Sequence, residues 1–247
     1  MNALSIEYRP IPWIRISRKA ELTHPDSWGE LTSEQLILAS EILKGTLSDD
    51  RVIQVMTSLP KKVIRRLRPY QKLRVIELLI FLNDFTPYHE FIIPKIAFLS
   101  RPKPRLKDEY FGTFIFAEAH FSRYEKSGDL KDLDKMIACY YRTRAFREED
   151  IEINAHALRN VDSTIKEAIY LNYILIREYL AKTYPHVFTP SSEQDQKQNS
   201  SWLDVFDAIV GEDLVQQDNY AKLPLSTVLR FLAKQIVKNN TRERAIH

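Results

Sequence analysis

The chain has 247 residues, 44% of them hydrophobic, with five glycines, twelve prolines and a net charge of +3; collagen-like, low-complexity and wholly disordered chains are excluded. A polypeptide of this length buries about 70% of its unfolded surface in one or two cores without covalent staples. A single cysteine, Cys139, excludes an intramolecular disulfide framework or cysteine-based zinc cluster, and no apolar run approaches the ~20 residues that cross a bilayer.

The opening, Met1 to Arg18, mixes Glu7, Arg9, two prolines and Arg15, so it lacks the apolar stretch of a signal peptide. A soluble protein of a reducing compartment, with no membrane partner, is the expectation. Pro10, Pro12 and Pro25 exclude a long helix at the start, and residues 1–25 read as an extended arm in which Trp13-Ile14-Arg15-Ile16 forms at most a short strand. The first strong helix signal follows. Thr32-Ser33-Glu34-Gln35 is a capping box, with Leu31 and Leu36 placed as the hydrophobic staple around it. Leu36, Ala39, Ile42 and Leu43 continue at helical spacing until Gly45.

Ser48 can cap a second helix carrying Val52, Val55 and Met56, and Pro60 suits the start of a third with Val63, Ile64 and Leu67. A fourth runs from Pro69 to about Asn83. Its stretch Val75–Leu82 is apolar nearly all round apart from Glu77, which predicts a central helix. Between 86 and 107, prolines at 87, 94, 102 and 104 predict a proline-rich extended insertion. Phe91–Ile93 and Ile96–Leu99 are β-compatible there, with Pro94-Lys95 between them as a turn.

Helices resume near Asp108, with Tyr110, Phe114, Ala117, Phe121 and Tyr124 as an aromatic stripe. Gly128 ends that helix and Asp129 caps the next, which carries Leu130, Leu133, Ile137 and Tyr140 or Tyr141. A short helix over 148–158 and a long one over 161–182 complete the main body. The middle of the long helix, Ala168 to Ile176, is apolar around most of its circumference, so it must be covered on more than one side. Residues 189–200 contain no large apolar side chain and read as a polar linker. Beyond it, one helix bears Trp202, Val205, Phe206 and Ile209, and another after Pro224 bears Leu225, Val228, Leu229 and Ile236. Two helices cannot bury both stripes alone. The predicted fold is therefore mostly α: an irregular multi-helix domain over 26–188 with a short proline-rich extended or β insertion, and a linked C-terminal helical pair over 201–247.

The inventory for reaction chemistry is thin. No two of the six histidines stand at i,i+4, and Glu118 and His120, two apart on a helix, face different ways. Cys139 sits among apolar helix residues, where a thiol is buried and inert. The glycines are never close enough for a phosphate-cradling loop. Asp129 and Asp132 read as caps, and Glu148 to Glu152 as a solvated acidic turn. No catalytic residue, metal ligand or cofactor is expected.

The charge distribution is uneven. Arg51, Lys61, Lys62, Arg65, Arg66, Arg68, Lys72 and Arg74 fall in a stretch without a single acid. Lys61, Lys62, Arg65, Arg66 and Arg68 can grip phosphates or an acidic protein, with Lys103, Arg105 and Lys107 as a further basic run. The alternative is a solvated face balanced by acids elsewhere, and Tyr70 is the one aromatic within the cluster.

Pro25-Asp26-Ser27-Trp28-Gly29-Glu30-Leu31-Thr32-Ser33-Glu34-Gln35 resembles the P-x-S-W-x-E-L-T-x-x-Q opening of small helical proteins coded in tailed-phage and prophage structural modules. Phe111 to Ala119, with Tyr124, Gly128-Asp129, Leu133 and Tyr140-Tyr141-Arg142, is similar to their second recurring segment. The resemblance spans about 25–145. It implies a non-enzymatic protein of phage tail or virion morphogenesis, working in the bacterial host cytoplasm during assembly, with retention in the virion left open. Its partners would be other phage structural or assembly proteins and copies of itself. The candidate contact residues are Lys61, Lys62, Arg65, Arg66, Arg68, Trp202 and Phe206, while Trp28, Leu31, Thr32, Gln35 and Leu36 are structural. The alternative expectation is a nucleic-acid-binding accessory protein using Lys61–Arg74.

Overall fold

The structure is a computed structural model that describes residues 2–10, 15–45, 47–188, 202–211 and 217–246. It is mostly α, with eleven helices and two small two-stranded sheets among the described residues. The chain divides into two compact units, Met1–Tyr88 and His89–His247. That division falls inside the proline-rich segment that the sequence places within a single domain over 26–188. The expected linker, 189–200, lies outside the described residues, as do Trp13 and Ile14 of the expected short strand. No described helix is long and apolar enough to cross a membrane.

The N-terminal unit opens with a hairpin rather than an extended arm. β1 (Asn2–Tyr8) pairs antiparallel with β2 (Arg18–His24), from Asn2 opposite His24 to Tyr8 opposite Arg18. Pro10 and Pro25 sit just outside the strands, so they bound the ladder without removing its donors. Ile6 and Tyr8 on β1, with Ala20 and Leu22 on β2, turn one face toward a core of Ile53, Leu59, Val63, Ile64, Leu67 and Val75. The Thr23 N–H donates to Ser58 Oγ and the Ser58 N–H to the Thr23 carbonyl, which fixes β2 against the chain after α2.

Four helices complete the unit: α1 (Ser33–Ile42), α2 (Asp49–Met56), α3 (Lys61–Ile64) and α4 (Pro69–Glu77). At the start of α1 the Gln35 N–H donates to Thr32 Oγ1 at 3.3 Å and the Thr32 N–H to Gln35 Oε1 at 2.9 Å, a complete capping box. Leu31 and Leu36 flanking it are buried. Thr32→Ala should cost about 1 kcal/mol of stability, measured as a lower urea midpoint at unchanged slope.

The fourth helix is shorter and less central than expected. It ends at Glu77, and a 3-10 turn (Ile80–Asn83) follows. Val75, Leu79 and Leu82 are buried, but Leu73 is 57% and Ile80 71% exposed. Only one stripe of the apolar run finds cover, so the helix lies at the surface of its unit. Trp28 is the largest buried side chain among the unit's described residues, 1% exposed. Its indole Nε1–H donates to the Asp84 carbonyl at 2.8 Å, and its ring stacks on Phe85 and meets Phe81 edge-on.

The C-terminal unit begins with a two-residue hairpin, β3 (Lys95–Ile96) and β4 (Leu99–Ser100). Its turn falls at Ala97-Phe98, with Ala97 at φ 51°, not at the expected Pro94-Lys95. Pro94 cannot donate to a turn; its carbonyl instead accepts from the Arg101 N–H at 3.1 Å.

The helical body follows as α5 (Phe111–Ser127), α6 (Leu130–Tyr140), α7 (Asp150–Leu158) and α8 (Ser163–Thr183). Gly128, at φ 68°, ends α5 in the left-handed conformation that favours glycine, and the Asp129 carboxylate caps α6 by accepting from the Lys131 N–H. An aromatic nucleus of Phe91, Phe121, Tyr140 and Tyr173 joins α5, α6 and α8. Asn172 on α8 clamps the segment before β3, donating to the Glu90 carbonyl and accepting from the Ile92 N–H. The apolar middle of α8 is thus covered on several sides within its own unit.

The tail is docked on this body. α9 (Trp202–Val210), α10 (Gln217–Ala221) and α11 (Leu225–Ile246) all reach α5. The Phe111 N–H donates to the Leu223 carbonyl and the Leu225 N–H to the Glu109 carbonyl, a strand-like stitch at the start of α5.

Candidate functional site

The basic stretch is shaped by the helices that carry it. α3 has four residues, and its apolar positions Val63 and Ile64, followed by Leu67, are drawn into the core. Lys61, Lys62, Arg65, Arg66 and Arg68 are thereby left exposed. None of the five has a carboxylate within ion-pair distance among the described residues. Two acids of the same unit are paired with other cations, Asp50 with Lys72 at 2.6 Å and Glu34 with Arg51 at 3.9 Å.

The hairpin brings more positive charge to the same place. Gln71 on α4 donates through Nε2 to the Glu7 carbonyl of β1, which holds the end of β1 against the start of α4. The result is a continuous groove in two parts that share Tyr8 and Arg66. One part, of about 630 Å³, is lined by Tyr8, Pro10, Lys62, Val63, Arg65 and Arg66. The other, of about 230 Å³, is lined by Glu7, Tyr8, Arg9, Arg15, Ser17, Arg66, Arg68, Tyr70 and Gln71. Six cations and one carboxylate thus face one concave surface. Lys61 is exposed on the same short helix but lines neither part.

The asymmetry extends to the whole chain. Residues 1–88 carry thirteen lysines and arginines against ten acids, a net of +3, while residues 89–247 hold twenty-three of each. All of the net charge belongs to the unit that bears the groove. Sequence reasoning identified Lys62, Arg65, Arg66, Arg68 and Tyr70 but missed Tyr8, Arg9 and Arg15. The available signal was the alternation in Leu4-Ser5-Ile6-Glu7-Tyr8 and Ala20-Glu21-Leu22, which marks two strands and places the residues between them at a hairpin end.

Trp202 and Phe206 pack against aromatic rings of their own unit, Trp202 remaining half-buried. Trp202 meets Phe114 edge-on at 4.8 Å and Phe188 at 5.3 Å, while Phe206 is buried 6.1 Å from Phe111. Phe206 and Val210 of α9 are buried in docking the tail to its own unit, while Trp202, Val205 and Ile209 are half-buried. Trp28, Leu31, Thr32, Gln35 and Leu36 occupy the structural places expected of them.

Several charged groups are buried in the C-terminal unit. Glu118 accepts from the Tyr173 hydroxyl at 2.7 Å and pairs with Arg177 Nε at 3.0 Å. Burial lifts its carboxyl above the usual range, with Arg177 and Tyr173 opposing. Glu109 is raised by burial in the same way, although Arg142 Nη2 donates to both its oxygens at 2.7 and 2.8 Å. Lys166, 3% exposed, pairs with Asp134 at 2.8 Å. Burial depresses His120, with Asp132 at 3.2 Å resisting, and pushes the Cys139 thiol up, so that no thiolate forms near neutrality. These groups mostly satisfy one another. No group of three or more His, Cys, Asp or Glu residues arranged to hold a metal ion occurs among the described residues.

A raised carboxyl makes a signed prediction. The folded state holds the Glu118 proton more tightly than the unfolded chain does. The contribution is therefore complete below the unfolded value, near 4.5, and is lost as pH rises through the elevated folded value. Glu118→Gln should match the parent protein near that lower limit and become progressively more stable than it toward neutrality, read from urea unfolding across pH.

No family model, curated protein or solved structure matches the chain.

Proposed function

We propose that this chain is a non-enzymatic binding protein whose N-terminal unit grips the phosphate backbone of nucleic acid. The observation that carries the reading is the convergence of Arg9 and Arg15 from the hairpin with Lys62, Arg65, Arg66 and Arg68 from α3 and the following turn on one groove. Arginines supply planar forks of donors that match phosphate oxygens. With no carboxylate partner among the described residues, they meet a polyanion without first breaking ion pairs. Binding needs neither a reaction nor a cofactor.

The experiment is a titration of the full chain into a fluorescently labelled oligonucleotide, repeated across salt concentrations. Each phosphate contact contributes roughly −0.7 to the log–log salt slope for a single strand. A slope of about −3 to −4 is expected if most of the six cations engage. An absence of binding at low salt overturns the reading.

A second reading, docking to phage structural proteins during particle assembly, is supported by the resemblance across residues 25–145. Its test is light scattering of the chain alone and mixed with tail proteins, where a new stoichiometric complex is the expected result and an unchanged monomer peak counts against it.

A further inference from the structure

We infer that the groove of the N-terminal unit takes single-stranded nucleic acid, with a base stacked on Tyr70. This rests on the reading that the groove binds nucleic acid, and it adds what form that nucleic acid has.

Shape is the first argument. Readout of a duplex requires a protein element to enter a major groove about 12 Å wide, usually a helix presenting several side chains along one face. Here the cations line the inside of a concavity, and α3, which carries one of them, Lys62, has only four residues. The nucleic acid must enter the protein. A flexible single strand can follow a groove walled by arginines on both sides, whereas a stiff duplex can touch only its rim.

Tyr70 is the second argument. It lies on α4 directly after Arg68 and Pro69, is 56% exposed, and lines the groove with Arg9, Arg15, Arg66 and Arg68. Among the described residues no other ring stacks on it. A large exposed aromatic face beside cations that hold a phosphate backbone is the arrangement that single strands use, since every base offers a π-face while a paired base has its faces covered. Tyr8, by contrast, is partly buried against the core.

The test compares three probes on the full chain at one salt concentration: an oligothymidylate, an oligomer of the same length made of abasic sites, and a duplex, each about 20 units long. The expected order is oligothymidylate tightest, with the abasic strand weaker by about tenfold, the value of one stacked base. Tyr70→Ala should weaken the oligothymidylate by the same factor and leave the abasic strand unchanged, making the two equal. Tyr70→Phe should retain parental affinity because it keeps the ring. Tyr70 is exposed, so these variants fold, and a circular dichroism spectrum checks it. RNA and DNA versions of the strand report whether the sugar matters.

Equal affinity for all three probes, with no effect of Tyr70→Ala, overturns the single-strand inference while leaving the basic groove in place. Failure of every probe to bind overturns both.

Discussion

Replacing Arg65, Arg66 and Arg68 together by glutamine should weaken binding of the full chain to a single strand by about 100-fold at about 0.1 M salt, and replacing them by glutamate should abolish it. The magnitude follows from counterion release: at a slope of roughly 0.7 per contact, each phosphate contact is worth about fivefold between about 1 M and 0.1 M salt. Three lost contacts multiply to the stated factor, and reversal adds repulsion. The side chains are exposed and, among the described residues, without carboxylate partners, so neither variant leaves a buried charge. The salt slope should become shallower by about 2 in the glutamine variant. Lys103, Arg105 and Lys107 provide the control. They form an equally basic run in the C-terminal unit, where Lys103 is already paired with Asp108, and their replacement should change affinity little. Equal losses from both sets would mean that diffuse charge, not the groove, does the binding.

Trp28→Ala should be the most destabilising single change in the N-terminal unit, at about 3–5 kcal/mol. The indole is 1% exposed and lies between Phe81 and Phe85, so its removal leaves a cavity that two aromatic neighbours cannot close. It also leaves the Asp84 carbonyl without its donor. Against a typical domain stability of about 5–15 kcal/mol, that loss is a large fraction of the unit's margin. Trp28→Phe isolates the hydrogen bond, since much of the ring volume survives, and should cost clearly less than the alanine variant. Urea unfolding followed by far-ultraviolet circular dichroism measures both, and a first transition lost at the lowest urea concentrations is expected for Trp28→Ala.

How much of this was legible in the sequence depended on whether the signal was local. The capping box at Thr32 and Gln35, the left-handed stop at Gly128 and the cap at Asp129 are set within a few residues, and each stands where the pattern places it. Apolar runs were less informative, because a stretch such as Val75–Leu82 reads as buried all round although the fold covers only one stripe. The N-terminal hairpin was obscured by prolines that lie between and beyond its strands; they exclude a helix and say nothing against a ladder. Trp202 and Phe206 show the same limit from the other side. An amphipathic helix beyond a polar stretch can dock on its own chain or on another, and only the aromatic contacts to Phe111 and Phe114 decide.

The groove was half legible for a related reason. Lys62, Arg65, Arg66 and Arg68 stand together in sequence, whereas Arg9 and Arg15 are more than forty positions away and join them only through strand pairing and the Gln71–Glu7 clamp. The buried pairs Lys166–Asp134 and Glu118–Arg177 likewise join residues thirty or more positions apart on different helices, and nothing in their local sequence marks them.

The most direct test of the central claim is ultraviolet crosslinking of the full chain to a single-stranded oligonucleotide, with the crosslinked peptides located by mass spectrometry. Crosslinks concentrated on Tyr70 and on peptides containing Arg9, Arg15 and Arg66 are the predicted result. Crosslinks confined to the C-terminal unit, or spread evenly over both units, would contradict the account.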